Sequence, residues 1–138
     1  MILFPECNIN NQKTGKNRPR EQFCCSDVVG FYPHIPHDEG LGALREALAK
    51  SPNVSVPADD LVDLARLVLK NNNPTFNGRH YLQIQGTAIG TKMAPSYADI
   101  FIATFESKCW RVHQKMPYFW RRFIDDVFFI WTEDRKGF

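Results

Sequence analysis

The stretch YFWRRFIDDVFFIW, from Tyr118 to Trp131, places two adjacent carboxylates, Asp125 and Asp126, inside an apolar and aromatic run. Aromatic and β-branched residues on both sides predict two strands, so the pair should lie at the turn of a β-hairpin. Neighbouring like charges repel each other and lose hydration between strands. Either water solvates them as ordinary turn residues, or a divalent cation such as Mg²⁺ binds them, because hard ions prefer carboxylate oxygens.

The composition indicates a single domain with a core. The 138-residue chain is 43% hydrophobic, and its formal net charge of +2 favours an anionic partner only weakly. The cysteines lack zinc-finger spacing, and the adjacent Cys24 and Cys25 are typical of buried, reduced thiols. We expect an intracellular protein, nuclear or cytoplasmic, with no signal peptide and no membrane-spanning segment.

Local charge is more informative than net charge. Between Ser107 and Ile124 there are five bases and no acid, and a second basic cluster lies near the start of the chain. Each cluster either forms a solvated face or contacts phosphates, and the sequence leaves both interpretations open.

Helical and strand patterns alternate along the chain. Residues 1–22 read as an irregular leader, and residues 23–138 as one domain. We expect a strand over 23–32, a helix from about Asp38, a second helix after Pro57, a hairpin at Asn77-Gly78, a helix opened by Pro95, and a final hairpin with strands through Ile124 and from Val127 to Trp131. The second helix should bury Leu61, Leu64, Ala65, Val68 and Leu69. This order predicts an α+β fold with helices on one face of a mostly antiparallel sheet.

A third carboxylate, Asp27, lies in the first predicted strand among apolar neighbours. If that strand is central and lies beside the Asp125–Asp126 hairpin, three acids meet at one sheet edge. Two divalent ions roughly 3.5–4 Å apart stabilise both the attacking and the leaving oxygen of a phosphoryl displacement. The spacing alone therefore suggests, without deciding, a two-metal site.

Three segments, taken in order, resemble motifs A, B and C of reverse transcriptases, closest to those of Penelope-like retroelements. They are SDVVGFYPHIPHDEG (26–40), LQIQGTAIGTKMAPSYADIF (82–101) and RRFIDDVFFIW (121–131). The resemblance covers about residues 24–132. It implies a right-hand polymerase whose palm has a ferredoxin-like antiparallel sheet with helices on one face. The expected fold is incomplete, a palm fragment over 23–138 with fingers and thumb missing.

The resemblance also implies the catalytic residues. Asp27 and Asp125 would each bind both of two Mg²⁺ ions, or Mn²⁺, with Asp126 completing the carboxylate set and the backbone oxygen of Val28 as a further metal ligand. The ions would lower the pKa of the primer 3′-OH and hold the triphosphate. Positioning and electrostatics would supply most of the catalysis.

The remaining site residues follow from the same resemblance. Tyr32 matches a steric gate, an aromatic ring that leaves no room for a 2′-OH. The alternative interpretation of Tyr32 is a tyrosine of the hydrophobic core. Gly86 matches a glycine that lets the backbone come close to the nucleotide, and its alternative interpretation is an ordinary loop glycine. The residues implied to bind the nucleotide are Val28, Phe31, Tyr32, Gln85 and Gly86, and those implied to contact primer or template are Phe123, Arg121, Arg122 and Lys92.

The expected activity is therefore that of a retrotransposon RNA-directed DNA polymerase, a nucleotidyltransferase that adds dNTPs to a primer. Its partners would be an RNA template, a DNA primer and dNTPs, with no membrane; the sequence does not indicate an oligomeric state. One alternative is an inactive retroelement remnant that binds nucleic acid weakly at most. Another is a palm-like phosphotransferase such as a nucleotide cyclase. Tyr32 argues against it, and a cyclase would have no need of the Gln85-Gly86 loop beside a primer track.

Overall fold

The computed structural model describes residues 21–51, 55–113 and 116–132. They form an α+β fold with four helices, a three-stranded sheet and a two-stranded sheet, both antiparallel. The predicted leader up to residue 20 lies outside the described residues. In chain order the elements are β1 (Gln22–Asp27), α1 (Phe31–His34), α2 (His37–Ala49), α3 (Ala58–Lys70), β2 (Thr75–Phe76), β3 (Arg79–His80), α4 (Ala94–Val112), β4 (Phe119–Phe123) and β5 (Asp126–Trp131).

The chain divides into two compact units. The sheet unit comprises Met1–Val29 and Val112–Phe138, and its described part holds β1, β4 and β5. The helical unit, Gly30–Arg111, holds α1 to α3, most of α4 and the β2–β3 hairpin. Within the described residues, none of the helices combines the length and apolar character needed to cross a bilayer.

The three-stranded sheet has the order β1-β5-β4, so β5 is the central strand. Side chains alternate between its two faces. One face buries Cys24 and Val127. The prediction that Cys25 is also buried is wrong, because it lies on the opposite face and is exposed. The other face is more exposed, and we call it the carboxylate face. Its residues are Phe23, Cys25, Asp27, Phe119, Arg121, Phe123, Asp126, Phe128 and Ile130.

The structure corrects the prediction for the first strand. That strand was expected to run through Tyr32 and to be central, but it ends at Asp27 and lies at an edge of the described sheet. Gly30 adopts φ +63°, and α1 begins at the next residue. Pro33 is accommodated because the first helical turn has no use for its missing N–H. The edge position follows because β4 and β1 flank β5 on opposite sides.

The structure also shifts the last hairpin by one residue. Its turn consists of Ile124 and Asp125 rather than of both aspartates, and Asp126 is the first residue of β5. The pairing of Phe123 with Asp126 closes the turn. Because side chains alternate along a strand, this shift decides which face of the sheet receives the Asp126 carboxylate.

Helices α2 and α3 begin as the sequence predicts. Each has two acids in its first turn, where the helix dipole favours negative charge. The predicted core stripe of α3 is wrong in part, because Leu64 is 58% exposed and Val68 is 42% exposed. Val62, which the prediction omitted, is buried instead. Apolar residues surround most of α3, so periodicity alone could not identify its buried side.

Two further predictions are confirmed. The Asn77-Gly78 pair forms a two-residue hairpin turn with φ of 49° and 71°. Positive φ at both turn residues is the type I′ conformation, which this dipeptide favours. Helix α4 begins at Ala94, so Pro95 lies in its first turn.

Candidate active site

The fold sets two carboxylates side by side. Asp27, the last residue of β1, lies directly opposite Asp126, the first residue of β5. The Val28 N–H donates a hydrogen bond to the Asp125 carbonyl oxygen at 3.0 Å, one step further along the ladder. The aspartates are therefore a non-hydrogen-bonded pair, a type in which Cα atoms are about 4.5 Å apart and side chains approach closely on one face. Both residues are exposed.

This arrangement is electrostatically unfavourable. Like charges directly opposite each other on a sheet face destabilise the pairing. At a separation of about 5 Å in water, two unit charges repel by about 0.8 kcal/mol. In the described part of the chain, neither Asp27 nor Asp126 has an ion-pair partner. A bound cation would reverse the sign of this local contribution to stability.

The donor chemistry of the pair fits Mg²⁺. This ion is commonly bound by one or two carboxylates, with water and substrate phosphates completing its octahedral shell. Among the described residues, no group of three or more His, Cys, Asp or Glu side chains could hold a metal ion. Asp125 lies in the turn and is half-buried, and its role as a third ligand stays a prediction, as does that of the Val28 carbonyl oxygen.

The turn beside the pair is strained. Ile124 has φ of 56°, a left-handed conformation that β-branched residues rarely adopt. Asp125 is not among the residues with positive φ, so the signs match a type II′ turn, which normally has glycine first. The Arg122 Nη1 donates a hydrogen bond to the Ile124 carbonyl oxygen at 3.0 Å. This bond helps hold the turn that positions Asp125 and Asp126.

The three residues of β4 that are predicted to contact primer or template divide between the two faces of the sheet. Arg121 and Phe123 share the carboxylate face, since they pair with Phe128 and Asp126. Phe123 lies next to the carboxylate pair and is 75% exposed. Arg122 pairs with Val127 and therefore lies on the opposite, more buried face. Its hydrogen bond to the Ile124 carbonyl oxygen supports the turn.

Apolar rings flank the carboxylates along the sheet. The ring centroids of Phe23 and Phe128 are 6.4 Å apart, and those of Phe119 and Phe128 are 6.0 Å apart. The Arg121 guanidinium lies over the Phe119 ring, 4.8 Å from its centroid. An open depression of about 590 Å³ runs beside this surface and is lined by residues that include both aspartates. The face thus combines carboxylates, a cation and exposed rings.

The helical unit brings a second group of predicted residues together. The Thr87 N–H donates to the Tyr32 carbonyl oxygen at 3.0 Å, and Gln85 Nε2 donates to the His34 carbonyl oxygen at 3.2 Å. Tyr32 is partly buried, and its role as a steric gate stays a prediction. The end of the motif A segment and the start of the motif B segment therefore lie side by side.

Gly86 has a packing reason for being glycine. Its φ is +77°, and a Cβ there would lie 2.5 Å from the Pro33 carbonyl oxygen. Its N–H donates to the Ile35 carbonyl oxygen at 3.0 Å. It is therefore no ordinary loop glycine, because the fold itself requires it. A close approach of nucleotide to this backbone stays a prediction.

His37 is a residue that sequence reasoning missed. Its Nε2 donates a hydrogen bond to the Gly86 carbonyl oxygen at 2.8 Å, which ties α2 to the loop. No spacing signal identifies a bond between residues so far apart. Phe31 is buried against Tyr32, with ring centroids 5.7 Å apart, so its side chain serves by supporting that ring. Lys92 is exposed in the turn before α4.

No protein-family model matches the chain, and no curated protein matches it either. A functional assignment therefore depends on the residues and geometry described above.

Proposed function

We propose that this chain is the palm of an RNA-directed DNA polymerase of a Penelope-like retroelement. The observation that carries the proposal is the pairing of Asp27 with Asp126 beside the β4–β5 turn. It supports the proposal because motifs A and C, which are far apart in sequence, would each contribute a metal-binding carboxylate. On this proposal the β1-β5-β4 sheet belongs to a ferredoxin-like palm sheet.

In the proposed site, Asp27 and Asp126 would bind Mg²⁺ through carboxylate oxygens, and Asp125, in the adjoining turn, would be a further ligand. The bound ions would supply the charge that lowers the pKa of a primer 3′-OH and neutralises the triphosphate. The hairpin turn, braced by the Arg122 hydrogen bond, keeps the Asp126 carboxylate opposite Asp27. Because the sheet already holds the two carboxylates in place, they lose little entropy when ion and substrate bind. This preorganisation would be the contribution of the sheet to catalysis.

The other residues would orient the substrates. Phe123, exposed beside the pair, offers an apolar surface to the sugar or base at the primer end. Arg121 offers a cation to a backbone phosphate on the same face. Tyr32, adjacent to the Gln85–Gly86 loop, would exclude a nucleotide 2′-OH and so select dNTPs.

Single-nucleotide extension tests the proposal. A 5′-labelled DNA primer on an RNA template is incubated with the chain in excess, Mg²⁺ and one dNTP. We expect one added nucleotide when the dNTP is complementary to the template, and none with a mismatched dNTP or with EDTA. Asp27→Asn and Asp126→Asn should lose more than the roughly 10- to 100-fold that is lost when a residue hydrogen-bonded to a metal ligand is mutated, while circular dichroism shows the native fold.

The matched control is Asp60→Asn, which removes an exposed acid from the first turn of α3. This variant should extend the primer at the wild-type rate. Extension that persists in Asp27→Asn would contradict the assignment of the carboxylates. Absence of extension by the wild-type chain would refute the polymerase and favour the inactive remnant.

A further inference from the structure

The β2–β3 hairpin is an exposed element with regular backbone hydrogen bonding. Its type I′ turn joins two short strands, and the hydrogen-bond ladder continues through the Tyr81 N–H to the Pro74 carbonyl oxygen at 2.9 Å. A bond from the Gln83 N–H to the Asn72 carbonyl oxygen at 3.0 Å extends it further. The hairpin therefore holds its shape with its strand residues facing solvent.

One face of this hairpin presents two aromatic rings and a cation. Phe76 lies opposite Arg79, and strand alternation places Tyr81 on the same face. Phe76 is 74% exposed and Tyr81 is 48% exposed. We call this surface, formed by Phe76, Arg79 and Tyr81, the aromatic face of the hairpin. Exposed rings contribute little to folding, and an exposed apolar patch rimmed by polar residues marks a binding site.

The surrounding sequence favours an anionic ligand. From Leu64 to Ala98 the chain contains no aspartate or glutamate, whereas Lys70, Arg79 and Lys92 are basic. Arg66, also in this range, is ion-paired with Asp63 at 3.8 Å. In the part of the chain that the structure describes, Arg79 takes part in no ion pair. An apolar protein partner would explain the exposed rings. It would not explain why this segment contains no acidic residue.

We propose that the aromatic face stacks on the bases of single-stranded nucleic acid, with Arg79 contacting a backbone phosphate. Every base has a π-face, so aromatic platforms beside a cation bind single strands with little sequence preference. The choice of RNA as the strand, and of template as its role, rests on the function proposed above. The stacking itself follows from the residues of the hairpin.

Fluorescence anisotropy with two labelled probes tests the proposal. One probe is an oligoadenylate RNA, and the other is an abasic oligonucleotide of equal length and charge. The wild-type chain should bind oligoadenylate more tightly. Phe76→Leu and Tyr81→Leu keep apolar side chains but lose the ring, so each should weaken oligoadenylate binding roughly 5- to 100-fold and leave the abasic probe unchanged.

Arg79→Gln should weaken binding of both probes and reduce the slope of log affinity against log salt by about one. Two variants serve as controls. Phe76→Tyr keeps a ring and should bind as wild type does. Ile89→Ala removes an equally exposed apolar side chain outside the hairpin and should also bind as wild type does.

Equal affinity of the wild-type chain for the two probes would overturn the proposal, as would oligoadenylate binding that Phe76→Leu leaves unchanged. The second result would indicate a face that binds an apolar protein partner. Asp126→Asn separates this proposal from the polymerase, because it should abolish extension and retain oligoadenylate binding. Loss of oligoadenylate binding in Asp126→Asn, with the hairpin variants binding normally, would place the nucleic acid on the sheet and overturn the hairpin assignment.

Discussion

Replacing Asp27 by asparagine should stabilise the protein in metal-free buffer. The substitution keeps the shape of the side chain and removes one of two facing charges. The repulsion removed is about 0.8 kcal/mol for charges about 5 Å apart in water, near the top of the roughly 0.2–1 kcal/mol range for cross-strand pairs. We therefore expect urea denaturation at low ionic strength to give a free energy of unfolding about 0.5–1 kcal/mol higher for Asp27→Asn.

Magnesium should reverse this order. If the pair binds Mg²⁺ with a dissociation constant on the order of 1 mM, about 10 mM MgCl₂ stabilises the wild-type chain by about 1.4 kcal/mol. The variant has lost one ligand and should gain much less. Denaturation with NaCl at the same ionic strength is the control, because screening alone relieves repulsion but binds no specific site.

Asp60→Asn provides the matched variant, since it removes an exposed carboxylate outside the sheet. Its response to MgCl₂ should equal that of the wild-type chain. The reasoning is refuted if Asp27→Asn is less stable than wild type without metal, because Asp27 would then make a favourable contact. It is refuted equally if Mg²⁺ stabilises both chains by the same amount.

Four further substitutions test local packing, strain and titration. Gly40→Ala should lower the free energy of unfolding in urea by roughly 1–3 kcal/mol, because the new Cβ would overlap the Tyr97 hydroxyl oxygen. Gly42→Ala is the control on the same helix. Its Cβ meets nothing within 4 Å, so it should raise the free energy of unfolding by about 0.5–1 kcal/mol. Ile124→Gly should relieve the left-handed strain and stabilise by about 0.5–1 kcal/mol, and an unchanged or lower unfolding free energy would contradict that. Burial, and then the charge of Asp38, raises the pKa of Tyr97 from 10.0 to about 12, so the folded state keeps a proton that the unfolded chain loses. Stability should fall as pH rises from about 10 to about 12, and Tyr97→Phe should flatten that decline in denaturation midpoints.

Local signals in the sequence predicted the parts of the fold that are decided locally. The Asn77-Gly78 dipeptide determines its own turn, and the acids after Pro57 mark the start of α3. The buried side of α3 was not predictable in the same way, because Leu64 and Val62 are equally apolar. Contact with neighbouring helices decides which of them is buried, and that information is not in the periodicity of one helix.

The candidate site shows the same limit. The sequence indicated that Asp27 would meet the late acidic doublet, but a one-residue difference in the turn decides that Asp126 is the partner. That turn requires Ile124 to adopt a conformation that propensity disfavours, so no local rule predicts it. The hydrogen bond from His37 to Gly86 could not be predicted from the sequence for another reason. It depends on the packing of α2 against a loop distant in sequence.

Paramagnetic relaxation by Mn²⁺ tests the central claim, that Asp27 and Asp126 form one divalent-cation site. Substoichiometric Mn²⁺ is added to ¹⁵N-labelled protein, and amide line widths are recorded residue by residue. Broadening should centre on residues 26–28 and 124–127, be displaced by excess Mg²⁺, and disappear in Asp27→Asn. Broadening that centres elsewhere, or that persists in Asp27→Asn, would contradict the claim.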